Sequence, residues 1–252
     1  MRPYQVIALR TDRTVFHRGE ECVKQYARGR DATAVLRESM NLAAASKAGA
    51  HVPELIGVEA DDGRWTLRTA FVEGETLANA IMSGRVRADA GIEGLAALQD
   101  ELWRRDATTL APLAVWAERE IRACALNEAV KDALLKRLSG MESGDALCHG
   151  ELTPFNVIVR REDEWVIVDW ENALRGDPAA DAAMTWLGLM LEERLDWAEP
   201  YLEAVRRRGA MDISKVEKWL PIVAAARLPA ANRRQRGALK DIVARLQYED
   251  MK

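Results

Sequence analysis

Histidine and cysteine are scarce in this chain, three of each among 252 residues. Cys22, Cys124 and Cys148 form an odd set without paired spacing, which points to reduced thiols rather than a disulfide framework, and none is set up as a nucleophile. His17 and His51 lie far from His149 in sequence and the three show no ligand spacing, so a histidine-built metal site is not expected. No stretch approaches the roughly 18 apolar residues that a membrane-spanning helix needs. The opening Met1-Arg2-Pro3-Tyr4-Gln5 lacks the apolar run of a signal peptide, and a cytoplasmic protein is expected. A formal charge of -4 and a pI near 5.6 give no general reason to expect a nucleic-acid partner. Glycine and proline are spread thinly, with no long flexible linker, repeat or low-complexity segment. At 48% hydrophobic, the chain can bury a sizeable core in one large domain or two lobes.

What is present is concentrated between Cys148 and Glu171. Val157-Ile158-Val159-Arg160 reads as a strand, Arg161-Glu162-Asp163-Glu164 as a polar turn and Trp165-Val166-Ile167-Val168 as a returning strand. A four-residue turn sets Arg160 opposite Trp165, Val159 opposite Val166 and, at the open mouth, Asn156 opposite Asp169. Opposed residues of an antiparallel pair project to the same side. An amide oxygen and a carboxylate emerging together suit a hard cation such as Mg²⁺, which binds through one or two protein oxygens with phosphates and water completing its shell.

Upstream of Asn156, Glu151 stands at the spacing at which a kinase catalytic loop holds its base before its metal-binding Asn. Cys148-His149-Gly150-Glu151-Leu152-Thr153-Pro154-Phe155-Asn156, a hydrophobic strand and then Asp169-Trp170-Glu171 resemble the pattern of the aminoglycoside phosphotransferase and choline kinase-like enzymes. Gly176-Asp177-Pro178-Ala179-Ala180-Asp181 extends the resemblance. It implies an α+β, bilobal protein kinase-like fold: a small N-terminal lobe (residues 1–72) with an antiparallel sheet and one helix, and a larger, mainly helical C-terminal lobe (73–252). It also implies ATP and Mg²⁺ as cofactors, Glu151 as catalytic base, Asn156 and Asp169 as metal ligands, and a small-molecule acceptor. Glu151 departs from the family, which carries Asp there. His149 reads as a structural residue of the loop, and Asp177 as the N-cap of a helix with Pro178 in its first position, bracing the loop by family resemblance.

The upstream region carries the rest of such a fold. Tyr4 to Leu9, Thr14 to His17 and Cys22 to Tyr26 read as a three-stranded meander, with Lys24 in the third strand, where the resemblance places the phosphate-binding lysine. Asp31 to Lys47 reads as a helix burying Val35, Leu36, Met40, Leu42 and Ala43, and Glu38 on it is expected to aim Lys24. Arg64 to Leu77 resembles the family's fifth strand, hinge and following helix, so the backbone of Ala70 and Val72 is expected to meet the adenine edge. The first turn, Arg10-Thr11-Asp12-Arg13, has no glycine where kinases cover phosphate with backbone amides. It must stay away from the nucleotide or use Thr11 and the arginines instead.

The acceptor is harder to read. Leu191 to Glu203 combines acids with Trp197 and Tyr201 in the region where the family often binds its acceptor, and an acidic, aromatic wall would suit a polyamine sugar or a quaternary amine. A solvated amphipathic helix fits the same residues. The basic stretch from Arg206 to Arg245, Arg227 included, reads as solvated surface. Two functions follow: an ATP- and Mg²⁺-dependent O-phosphotransferase acting on an amino sugar or amino alcohol-like hydroxyl, or a pseudokinase-like binding protein silenced at Glu151.

Overall fold

The computed structural model describes residues 5–161, 164–209 and 211–249. The chain is α+β. Strands β1 (Gln5–Leu9), β2 (Arg13–Arg18) and β3 (Glu21–Tyr26), which carry Val6, Ile7, Val15, Phe16, Val23 and Tyr26, precede α1 (Ala32–Lys47), which Asp31 caps by accepting from the Thr33 amide. β4 (Leu55–Asp61) and β5 (Arg64–Ala70) complete an antiparallel sheet in the order β1-β2-β3-β5-β4. Tyr26, Val35 and Leu67 form its core against α1, with Leu55, Val58 and Trp65 packed on them.

The buried face of α1 differs from the expected one. Val35, Glu38, Ser39, Asn41, Leu42 and Ala45 point inward, whereas Leu36 and Met40 are exposed, at 44% and 68%, and Ala43 also faces out. The inward positions recur at helical spacing. Hydrophobicity alone misassigned the face because three of its members, Glu38, Ser39 and Asn41, are polar.

A short strand β6 (Glu75–Thr76) leads into α2 (Leu77–Met82), then come α3 (Ala88–Trp103), α4 (Leu113–Ala123), α5 (Glu128–Ser139) and β7 (Ala146–Cys148). The hairpin β8 (Val157–Arg161) and β9 (Glu164–Ile167) pairs with β6 in a separate sheet, β6-β8-β9. Gly74 stands at φ 149°, where an added Cβ would lie 2.5 Å from the Val159 carbonyl oxygen, so only glycine admits this close approach. After β10 (Leu174–Gly176), which pairs with β7, the chain continues as α6 (Pro178–Leu191), α7 (Leu195–Arg207), α8 (Ile213–Arg227) and α9 (Arg233–Glu249). The first compact unit comprises Met1–Val86 and Pro154–Ala173, the second Arg87–Thr153 and Leu174–Lys252. No helix among the described residues is long and apolar enough to cross a membrane.

The hairpin register is one residue off the expected one. Val157 pairs with Ile167, Ile158 with Val166 and Val159 with Trp165, and the register shifts between Val159 and Arg161 so that Arg161 meets Glu164. Arg160 is the extra residue of the bulge. Glu162 and Asp163, the centre of the expected turn, lie outside the described residues.

Cys124 and Cys148 are buried and Cys22 is half-buried, and burial pushes all three thiols above their ordinary pKa. Since the thiolate is the nucleophile, the native chain should react slowly with iodoacetamide at mildly alkaline pH, and the denatured chain rapidly at all three sites. Mass spectrometry of the alkylated peptides checks this, and a fast-reacting thiol in the native chain would contradict it.

Candidate functional site

Lys24 collects partners from two other elements of the first unit. Its place in β3 is fixed by pairing with Val15 on one side and Leu67 on the other, and α1 turns Glu38 toward it. Lys24 Nζ donates to Glu38 Oε1 and, at 2.8 Å, to Asp169 Oδ1. Glu38 is 3% exposed, and its second oxygen accepts from the Tyr26 hydroxyl. A buried carboxylate bonded through both oxygens is satisfied and immobile. Burial alone would lower the pKa of Lys24, but Asp169 and Glu38 outweigh it and raise the pKa above its ordinary value, so the ammonium stays charged.

Asp169 reaches this cluster by an unexpected route. The Val168 amide donates to the Asn156 carbonyl at 2.9 Å, so Asn156 is paired with Val168 and Asp169 lies one residue beyond. The backbone there turns left-handed, φ 64° and ψ 66°, and enters the helical turn Trp170–Asn172. Trp170 Nε1 donates to the Ile167 carbonyl at 3.0 Å, and Asn41 Nδ2 of α1 donates to the carbonyls of Trp170 at 3.0 Å and Glu171 at 3.2 Å. Asn41 therefore ties this turn to the helix that carries Glu38. The sequence reading passed over it, although an asparagine on the inward side of a helix was a usable signal.

Glu38, Asp169 and Glu171 each present an oxygen within 4.8 Å of the others. Burial raises the Glu171 carboxyl above its ordinary range; Glu38 and Asp169 reinforce this, while Arg13 and Lys24 oppose it. Arg30 Nη2 lies 2.5 Å from Glu171 Oε1, and Arg30 Nε is buried without a hydrogen-bond partner. Carboxylate oxygens beside fixed cations and an unmatched donor fit a hard divalent cation together with an anionic ligand.

The expected base lies in the second unit, on the loop after β7. Gly150, at φ 79°, donates its amide to Asp181 Oδ1 at 2.7 Å, and the Glu151 amide donates to Nδ1 of buried His149 at 3.2 Å. Asp181 is fully buried in α6, and its other oxygen accepts from Gln99 Nε2 at 2.8 Å and Trp103 Nε1 at 2.9 Å. Tyr201 extends the network by donating to Gln99 Oε1 at 2.5 Å. Asp177 caps α6 through the Ala179 amide, with Pro178 following, and accepts from Trp219 Nε1 at 2.8 Å. The direct hydrogen bond to the Gly150 amide comes from Asp181. An acid one turn into an alanine-rich helix was the sequence signal for it.

Arg227, at the end of α8, donates to the Gly150 carbonyl and sets Nη1 3.4 Å from Glu151 Oε2. One member of the basic stretch is therefore structural, and not solvated surface. The aromatic wall is absent from α7: Trp197 and Tyr201 are 1% and 0% exposed, and the Arg194 guanidinium lies 3.5 Å over the Trp197 ring. Their spacing of four residues places both on the apolar face of the helix. At the expected hinge the Ala70 amide donates to the Glu54 carbonyl at 2.9 Å and the Phe71 amide to the Glu20 carbonyl at 2.8 Å. The Ala70 amide is thus engaged within the sheet, and Val72, two residues on, is half-buried.

The fold recurs in solved structures. An aminoglycoside-3'-phosphotransferase of type VIII is 21% identical, covering 89% of this chain and 93% of its own, at a TM-score of 0.67. The phosphotransferase APH(3'')-Id from Streptomyces rimosus is 19% identical, with coverages of 88% and 92% and a TM-score of 0.64. A variant of aminoglycoside phosphotransferase APH(4)-Ia, in ternary complex with AMP-PNP and hygromycin B, is 11% identical, with coverages of 96% and 92% and a TM-score of 0.72. At these identities the likeness shows the fold. No curated protein sequence matches significantly. The sequence model of the phosphotransferase enzyme family, APH, matches residues 4–219. That match spans both compact units and most of the chain, which therefore belongs to the phosphotransferase enzyme family.

Proposed function

We propose that this chain is an ATP- and Mg²⁺-dependent O-phosphotransferase that phosphorylates a hydroxyl of a small molecule of the amino sugar or amino alcohol class. The observation that carries the reading is Lys24, its ammonium held between Glu38 on the next helix and Asp169, 145 residues further along the chain. Such an ion pair aims a cation at phosphate oxygens, and phosphoryl transfer is catalysed largely by positioning and charge. Asn156 and Asp169 would hold Mg²⁺, with Glu171 beside Asp169. The metal would supply neutralisation of charge on the transferring phosphoryl group.

Glu151 accepts the proton of the acceptor hydroxyl as that oxygen attacks the γ-phosphorus. One O–P bond forms, the bond from the γ-phosphorus to the β–γ bridging oxygen breaks, and ADP leaves with the electron pair. Glu151 is a methylene longer than Asp but keeps a carboxylate of similar basicity for this role. The acceptor class draws support from the family and from the hygromycin B bound by one structural neighbour; α7 adds nothing to it.

The Arg227 contact favours a second reading, a pseudokinase-like binding protein whose carboxylate is occupied by a guanidinium. Transfer from ATP to a panel of amino sugars and amino alcohols separates the two. Glu151→Ala should lower kcat about a hundredfold or more, with Glu151→Asp retaining most of it. Full transfer by Glu151→Ala would remove the base assignment, and no transfer by the wild type to any acceptor would favour the binding protein.

A further inference from the structure

The first turn has no glycine with which to wrap phosphate, but it delivers an arginine. The Arg10 amide closes the turn on the Arg13 carbonyl at 2.9 Å. Arg13, first residue of β2, then sends its guanidinium to Asp169 (Nη2 to Oδ2, 3.5 Å), Glu171 (Nη1 to Oε2, 3.4 Å) and Asp12 (Nη1 to Oδ2, 3.0 Å). Arg30 joins the same acids, bonding Glu171 and approaching Asp12 at 3.4 Å, with its Nε buried and unmatched. Two arginines are thus directed onto the carboxylates beside Lys24.

Burial would lower the pKa of Arg13, but Asp169, Glu171, Asp12 and Glu38 more than reverse this, and the guanidinium is permanently charged. A divalent cation and the Arg13 guanidinium compete for the same carboxylate oxygens, because like charges at such range repel strongly. The guanidinium is a planar fork whose donors match phosphate oxygens as well as carboxylates, so exchange of one for the other keeps its hydrogen bonds.

We propose that Arg13, backed by Arg30, is the phosphate-holding element of this chain in place of a glycine-rich turn. Arg13 keeps Asp169 and Glu171 neutralised, and trades their oxygens for nucleotide phosphate oxygens when those carboxylates ligate metal. The inference rests on the kinase reading of Lys24 and Asp169.

Calorimetric titration of the whole chain with Mg²⁺·AMP-PNP, with adenosine and with Mn²⁺ alone tests it, on wild type, Arg13→Lys and Arg13→Ala. Arg13→Ala should weaken Mg²⁺·AMP-PNP about tenfold to a hundredfold, leave adenosine unchanged and tighten Mn²⁺ alone. Arg13→Lys, which keeps the charge but loses the fork, should fall between. Nucleotide affinity unchanged in both variants would overturn the proposal, as would an equal loss for adenosine and nucleotide in Arg13→Lys. Should the wild type bind Mn²⁺ but no adenine nucleotide, the kinase reading fails first and this inference with it.

Discussion

Asp169→Asn is expected to lower phosphoryl transfer about a thousandfold, equivalent to about 4 kcal/mol of transition-state stabilisation. Asp169 is the residue on which Lys24 and Arg13 both converge, and it is the charged member of the proposed metal pair. Asparagine keeps the size and shape of the side chain and tolerates the left-handed backbone at this position, where a residue such as leucine would add strain of about 1–2 kcal/mol. The loss therefore isolates charge. Lys24 retains Glu38, so the fold should hold and the melting temperature should change little. Initial rates at saturating ATP and acceptor, with a Mg²⁺ titration, check the prediction. A rate within tenfold of wild type would remove Asp169 from the metal site.

Asp181→Ala should have the largest effect on stability, a loss of about 3 to 5 kcal/mol. The carboxylate lies at 0% exposure and accepts from Gly150, Gln99 and Trp103. Alanine leaves the Gly150 amide and the Trp103 indole donor buried without that acceptor, while Gln99 keeps Thr185, 2.9 Å away. Against a total stability of about 5–15 kcal/mol for a typical protein, such a loss is a large share. Asp181→Asn should be milder but still costly, since its amide nitrogen must face a donor. Urea unfolding followed by tryptophan fluorescence gives the stability. In parallel, kcat should fall more than the KM for ATP rises, because the loosened loop carries Glu151. Wild-type stability in Asp181→Ala would mean that these donors are satisfied by water.

Particular residues show how far the sequence reached. The meander, the helix after it and the hairpin were legible because period-two alternation and capping residues are local signals. The pairing of Lys24 with Glu38 was legible through the family resemblance, which puts a lysine in the third strand and an acid on the helix that follows. The hairpin register was not, because the bulge at Arg160 depends on how β8 meets β9 and leaves no mark in an unbroken run of hydrophobics. Arg13 stood out only as one of two arginines in a glycine-free first turn, and Arg30 and Arg227 were indistinguishable from ordinary surface arginines. Their direction is set by which carboxylates the fold brings near, a property of tertiary structure alone. Trp197 and Tyr201 misled for a related reason: helical spacing says that two residues share a face, and not whether that face is wet.

The left-handed turn at Asp169 also bears on how such a chain could change over generations. Asparagine and glycine both adopt this conformation readily, and each is a single-nucleotide change from an aspartate codon. With the proposed metal role for Asp169, loss of phosphoryl transfer at this position would be open to drift without a folding defect for selection to remove. The same geometry lets one reversion restore the acid, so a silenced descendant would keep the scaffold from which activity could return.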